Sequence, residues 1–517
     1  MDQLDPIATN ASLVFSLITL IIALILIIFF STTFSSLTCF HKFMSSSVFC
    51  NCEICQAYLT SSWSKDFNNL CDWYTHLLKK SPTKTIYIHV LQNIITANHE
   101  NVEYILKTKF ENYPKGKPFS TILGDFLGRG IFNVDGDLWK FQKKMVSLEL
   151  NKHSIRSFAF EVVNNEIQHR LIPLLQIQSE VALDLQDVFK RFSFDSICRF
   201  SFGLDPKCLE KSLPMSDFAI SFDLASKLSA ERAMVVSPII WKIKRFFNMG
   251  SEKELKKSIT MINMLAKVVI KQKRKMGFCD HKDLLSRFMS TTIHDDMFLR
   301  DIVISFLLAG RDTVASSLTS FFWLLAKNPE VESEILLEAE RVIGPYDKNN
   351  NNNLGVTNFE QLSKLHYLHA AAHESMRLYP PIQFDSKFCL VDDVLMDGTK
   401  VKNGTRVTYH PYAMGRLEEL WGQDCLEFKP QRWLKDGIFQ PQNQFKYPIF
   451  QAGLRVCIGK EMALMELKSV AICLLRKFHI ELADTPMFHG NHPRFSPGLT
   501  ATFAFGLPVF VHERGTN

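Results

Sequence analysis

A mainly α-helical fold with a small β-rich region is what this sequence predicts, and three observations carry the prediction. Apolar residues recur at helical spacing from Trp139 to about Lys275, then over Asp301–Lys327 and Leu362–Leu378. Runs rich in β-branched residues are short and confined to Thr85–Val90, Asn93–Ala97, Phe388–Leu395 and Arg406–Tyr409. No strand–helix alternation signals a parallel sheet, and no internal repeat is present.

The elements follow in order. Residues 1–12 form a short tail, expected on the lumenal side. Residues 13–30 carry no charged side chain and are close to the minimum length for a bilayer-spanning helix. Asp2 and Asp5 precede that run, where a signal peptide would have a basic start. His41, Lys42 and Lys65 follow it, which places the bulk of the chain on the cytosolic face. A single-pass anchor in the endoplasmic-reticulum membrane is therefore expected, with residues 31–80 as linker and lead-in helix and residues 81–517 as the cytosolic domain.

Within that domain, Thr85–Val90 and Asn93–Ala97 read as a hairpin, and Asn101–Lys107 as a helix. The stretch from Tyr113 through Gly124, Gly128 and Gly130 reads as a long loop of turn formers. Helices follow, broken near Pro173, Pro206, Pro214 and Pro238. Asp301–Lys327 is apolar enough to suggest a second membrane span, but Arg311 and Asp312 in its middle favour a buried central helix. Asn349–Asn353 is a low-complexity run, read as a solvated loop insertion.

Composition narrows the function classes. The 517 residues are 46% hydrophobic and 22% charged with a net charge of +6, and the basic residues are scattered, so no nucleic-acid module is indicated. Twelve cysteines in a cytosolic domain are expected to stay reduced. In the cluster Cys39, Cys50, Cys52 and Cys55, only the last two have Cys-x-x-Cys separation, so it is read as free thiols without a metal.

The chemistry concentrates in Phe450-Gln-Ala-Gly453-Leu-Arg455-Val-Cys457-Ile-Gly459, a loop running into an apolar helix. A lone cysteine is most often a buried small hydrophobe. Here Cys457 stands at a helix start, where free amides favour a thiolate. Gly453 and Gly459 permit tight turning and close approach to a flat ligand. Arg455 is suited to a forked grip on a carboxylate, and Phe450 offers an aromatic surface. The pattern resembles the haem signature of the cytochrome P-450 monooxygenases at every specified position.

That resemblance extends along the chain. Ala309-Gly310-Arg311-Asp312-Thr313 resembles the family's oxygen-activation motif, with Gly310 admitting a bulky group and Asp312 and Thr313 as an acid–alcohol pair for proton delivery. Glu374-Ser-Met-Arg377 and the later Arg432 resemble its buried structural triad. Trp139 with Lys143 resembles a pair that contacts a haem propionate, with lysine replacing the usual arginine. His369 and His373 have metal-chelating spacing, but Ala370 stands where a hydrolase would need glutamate. They are read as polar residues on a packed helix.

Tyr113–Phe119 resembles the plant fatty-acid ω-hydroxylases, and within those Pro380–Phe388, Phe450–Gly453 and Gly459–Ala463 bring the resemblance down to plant family ninety-four, subfamily C. It implies a P-450 fold holding haem b on an axial thiolate, electrons from NADPH through a membrane-bound reductase, and dioxygen as oxidant. It further implies terminal oxidation of jasmonoyl-isoleucine through the alcohol to the acid, with fatty-acid ω-hydroxylation as the alternative. Both substrates are small, apolar-tailed carboxylates. The walls carried over from the family are Phe119–Phe132, Phe306–Thr313, Ile382–Phe384 and Pro497–Phe503, with Lys115 and Lys117 read as solvated. A haem-thiolate isomerase or a non-catalytic haem protein would not need the Asp312–Thr313 pair.

Overall fold

Helices dominate the computed structural model, which describes residues 50, 52–177, 181–210, 217–235, 237–276, 282–290, 295–346, 358–483 and 492–515. The anchor at 13–30, Cys39, Pro214 and the Asn349–Asn353 run lie outside the described residues. The chain divides into two compact units: Met1–Trp63 with Tyr87–Asn93, and Ser64–Ile86 with Ile94–Asn517.

The smaller unit contains a helix, Glu53–Thr60, and the tight turn His89–Leu91. In the larger unit the longest apolar stretch, Asp296–Lys327, is a central helix interrupted by one wide π turn at Leu308–Asp312. By length and composition it passes for a membrane span, but most of its apolar window is buried within the fold. Its second half packs against Leu185–Phe202, His366–Leu378 and Lys460–Lys477. Leu318, Phe321 and Phe322 from it meet Phe189, Ala371, Val470 and Leu474 in the main core. Burying one such side chain contributes about 1.5–3 kcal/mol, so this four-helix contact is the main apolar store of the fold.

The β-rich region is small, as expected. Asp385–Phe388 pairs antiparallel with Arg406–Tyr409, Asp385 opposite Tyr409. Both strands of the expected hairpin form, at Thr85–Ile88 and Asn93–Thr96.

Two expectations are corrected. The glycine-rich loop after Tyr113 is largely a helix, Gly116–Leu127. Phe119, Ile122, Leu123, Phe126 and Leu127 recur at helical spacing, and their burial outweighs the glycine at 124. Leu362–Leu378 is two helices, Phe359–Lys364 and His366–Leu378. Glu338 accepts the free amides of Tyr367 and Leu368 at 2.6 and 2.9 Å and caps the second helix.

Candidate functional site: the Cys457 loop and the central helix

The loop from Phe450 to Cys457 is closed by its own backbone, the Cys457 amide donating to the Phe450 carbonyl at 2.7 Å. The helix Lys460–Lys477 begins directly after it. Cys457 has protein around it in most directions yet remains solvent-accessible. Burial pushes its thiol up, against the Gly459 amide and Lys460, which pull it down. The helix start thus acts as expected but does not prevail alone, and a bound cation would be what fixes a thiolate there.

The two glycines have different reasons. Gly453 has φ +61°, and a Cβ on it would lie 2.2 Å from the Leu106 carbonyl oxygen. Its close approach is therefore to backbone and not to a ligand. A Cβ on Gly459 would meet only the Cys457 Sγ, at 4.0 Å, so this position keeps space beside the sulfur. The Phe450 ring lies near His373 and Lys460, 6.1 Å and 5.7 Å away.

Beside the loop is a buried cluster of charge. Arg455 stacks on Trp139 with 4.4 Å to the ring centre and donates to Asp135 at 2.5 Å and to the Val134 carbonyl at 2.9 Å. Lys143 lies over the same ring and donates to the Leu454 carbonyl. Burial, then Arg455, holds the Lys143 ammonium below its ordinary value.

Lys115 and Lys387 both pair with Asp385. Lys115 is buried, contrary to the solvated reading, whereas Lys117 is exposed as expected. Burial draws the Lys387 ammonium down to about 7, and the two lysines hold Asp385 well below the carboxylate range. Four cations (Arg455, Lys143, Lys115, Lys387) thus face two carboxylates (Asp135, Asp385). With Lys387 protonated, below about pH 7, the surplus of two positive charges suits a ligand with two acid groups. Lys115, the partner of Asp385, is far along the chain, which is why Lys387 and Asp385 were missed in the sequence; the signal available was an Asp–Lys pair two residues apart just before an expected strand.

The central helix supplies the other wall. Thr313 donates its hydroxyl to the Ala309 carbonyl at 2.5 Å, within the wide turn at Leu308–Asp312. Ala309, Gly310 and Thr313 keep accessible surface in a helix otherwise almost wholly buried. Asp312 accepts from Arg311 at 3.1 Å, and Arg311 also pairs with Asp223. Burial pushes the Asp312 carboxyl up to about 6, with Arg311 opposing and Asp223 adding to the rise. Gly310 does admit a bulky group, but the group is Ile197: a Cβ on Gly310 would lie 2.4 Å from its Cδ1.

Glu374, Arg377 and Arg432 meet in the interior. Arg377 grips Glu374 with two bonds of 2.7 and 2.8 Å, Arg432 adds one of 3.0 Å and Trp433 one of 2.9 Å. Arg377 also donates to the carbonyls of Cys425 and Glu427 at 2.6 and 3.0 Å, so the triad ties the helix to the segment before the Cys457 loop. His373 bonds Tyr447 at 3.2 Å and its ring lies 5.2 Å from that of Trp433. His369 packs on Phe439, and burial keeps both imidazoles uncharged. These histidines sit on a packed helix among aromatic rings.

Three of the anticipated wall segments converge. Phe119, Ile122, Phe306 and Leu499 border one apolar cluster, while Phe384 borders the neighbouring one. An accessible thiol, a dicarboxylate-matching charge cluster and an opened helix turn together fit haem on a thiolate.

Comparison with known proteins agrees. Residues 60–495 match the cytochrome P450 family model. The chain is 56% identical over 502 residues to cytochrome P450 94C1 of Arabidopsis thaliana, covering 96% of this chain and 99% of that one. It is 44% identical to cytochrome P450 94B1 of Arabidopsis thaliana (88% and 89% covered) and 42% identical to cytochrome P450 94A1 of Vicia sativa (88% of each). The chain belongs to the cytochrome P450 family, among the plant monooxygenases numbered ninety-four.

Proposed function

We propose that this monooxygenase oxidises the terminal carbon of jasmonoyl-isoleucine, first to the alcohol and then to the acid, and so inactivates the hormone. The observation that carries the reading is the subfamily-level match, 56% identity over almost the whole chain, which includes Gln383-Phe384-Asp385-Ser386 and the Cys457 loop. Electrons come from NADPH through a membrane-bound reductase, and the segment 13–30 anchors the chain in the endoplasmic reticulum with its catalytic unit in the cytosol.

The Cys457 sulfur would hold haem, which when bound would supply the cleavage of dioxygen. Arg455, Lys143 and Lys387 would neutralise its acid groups, with Trp139 fixing Arg455 by stacking. Lys143 acts as a point charge without the forked geometry of an arginine.

Thr313 holds a proton at the open face of the π turn, and Asp312 behind it exchanges protons near neutral pH. Phe119, Ile122, Phe306 and Leu499 confine an apolar tail, so that the primary carbon is held nearest the iron although its C–H bond is not the weakest. The Gln383 Nε2 is buried with no hydrogen-bond partner among the described residues, which leaves a donor in the wall segment for an oxygen-bearing substrate.

The test is turnover by reductase-supplemented microsomes given jasmonoyl-isoleucine and lauric acid side by side, and 12-hydroxy-jasmonoyl-isoleucine separately. Conversion of the alcohol to the 12-carboxy product is expected. If lauric acid is oxidised efficiently while the alcohol is left intact, fatty-acid ω-hydroxylation replaces this reading.

A further inference from the structure

Away from the haem site, the smaller unit gathers three cysteines. The sulfurs of Cys50, Cys52 and Cys55 all lie within 4.8 Å of one another. Local structure explains why. Cys52 caps the helix Glu53–Thr60 from an extended conformation, φ −68° and ψ 148°, so its side chain turns back over the first helical turn. Cys55 is in that turn, three residues on, and is fully buried. Cys50 precedes the cap by two residues, and its sulfur lies with the other two.

The surroundings pull in two directions: burial pushes the Cys55 thiol up to about 11, whereas the Cys52 thiol, little buried, lies below its ordinary value. The backbone amides of Ile54 and Cys55 are directed at the Cys52 sulfur, and the Val90 amide at the Cys55 sulfur. The Val90 turn thereby closes over the cluster from a separate part of the same unit. The other described cysteines outside the haem loop (Cys71, Cys198, Cys208, Cys389, Cys425 and Cys473) are buried, and none of them joins such a group among the described residues. Those six fit the usual role of a small apolar filler. Three converging thiols, two of which reach the surface, do not.

A disulfide would engage two sulfurs at about 2.05 Å and leave the third idle. A tetrahedral zinc engages all three: with Zn–S bonds of about 2.3 Å, neighbouring sulfurs stand roughly 3.8 Å apart. The cluster therefore needs to contract by about an ångström at most. Soft thiolates reject magnesium and calcium and select zinc or copper(I).

We propose that Cys50, Cys52 and Cys55 form a three-thiolate site for one Zn²⁺ ion, with the fourth position open to solvent on the Cys52 side. The proposal departs from the metal-free reading of the cluster, which rested on the spacing of its cysteine pairs. On binding, up to three thiol protons pass to solvent and three Zn–S bonds form, with no change of oxidation state. The ion clasps the start of the helix to the Val90 turn, a structural role. It holds a water in the open position and needs no further protein ligand.

The full-length haem protein, purified under reducing conditions without chelator, provides the test. Elemental analysis should give about one zinc per haem, and zinc-edge X-ray absorption should give three sulfur neighbours at about 2.3 Å and one lighter atom. Cys52→Ser and Cys55→Ser should bring zinc to background, while Cys71→Ser keeps it and all three keep the haem spectrum.

If a variant does not fold, the metal content and sulfur count of the unaltered chain decide alone. A chain that is purified without zinc and takes up none from an equimolar chelator-buffered solution overturns the proposal. So does zinc retained in both Cys52→Ser and Cys55→Ser, or copper found in place of zinc.

Discussion

Thr313 donates its hydroxyl to the carbonyl of Ala309 at 2.5 Å, in the one turn of the central helix that is wound wide. The bond holds the hydroxyl at the accessible face instead of leaving it free to rotate. Thr313→Ala should keep the haem spectrum but divert NADPH consumption into hydrogen peroxide, raising the peroxide-to-product ratio several-fold, whereas Thr313→Ser should remain close to wild type. The ratio is read by parallel assays of NADPH, peroxide and hydroxylated product. Unchanged coupling in the alanine variant would place the proton donor elsewhere.

Cys457→Ser should abolish the thiolate-type band of the reduced carbon-monoxide complex, because a neutral hydroxyl does not replace a sulfur donor. The difference spectrum of the variant decides this. Persistence of the band would remove Cys457 from the iron.

Gly310→Ala should destabilise the chain by about 1–3 kcal/mol, the usual cost of overpacking a core. The colliding atom is the Cδ1 of Ile197, 2.4 Å from the added Cβ, so Ile197→Val in the same chain should recover part of the loss. Denaturant unfolding of the single and double variants measures the coupling. Additive effects would mean the helices separate in some other way.

Glu374→Ala leaves Arg377, wholly buried, without its anion, while Arg432 keeps Asp424 at 2.7 Å. Removing one partner of a buried pair costs about 3–5 kcal/mol. The expected result is little or no folded haem protein, read as Soret absorbance per mass of purified chain. Normal yield would show that the carbonyls around Arg377 suffice.

Lys387 gives a pH signature. Burial lowers its ammonium to about 7, so the charge is present below that value and lost as pH rises through it. Its hold on a carboxylate weakens in the same direction. Haem release to an acceptor globin should therefore speed up several-fold between pH 6 and pH 8.5. In Lys387→Arg, which stays protonated, the profile should be flat. An identical slope in both proteins would assign the effect to another group.

The loop, the Glu374–Arg377 pair and the opened turn were legible in the sequence because each is defined by spacing within a few residues, whereas Arg432, 58 residues from Glu374, was reached only through the family resemblance. Glu374 and Arg377 are three apart on one helix, and the Thr313 bond reaches back four. What escaped is set by long-range packing. Lys115 and Asp385 are 270 residues apart, and nothing local marks either as buried. Gly310 and Gly453 were seen as necessary, but their reasons, Ile197 and the Leu106 carbonyl, lie on other elements. The helix Gly116–Leu127 was hidden because turn-forming residues were weighed above an apolar period that tertiary contact reinforces.

Gly453 against Leu106 has a bearing on how the cofactor is acquired. The loop is held by that backbone contact, by the Gln444 side chain on the Gly453 amide, by Tyr409 on Gln451, and by its own Cys457-to-Phe450 bond. None of these uses a ligand atom. Ordering a residue's backbone costs about 1–2 kcal/mol, and here that loss falls on chain folding and does not subtract from haem affinity. The seat is rigid before it is filled: the nascent chain presents a finished receptacle, and uptake becomes docking into a mould.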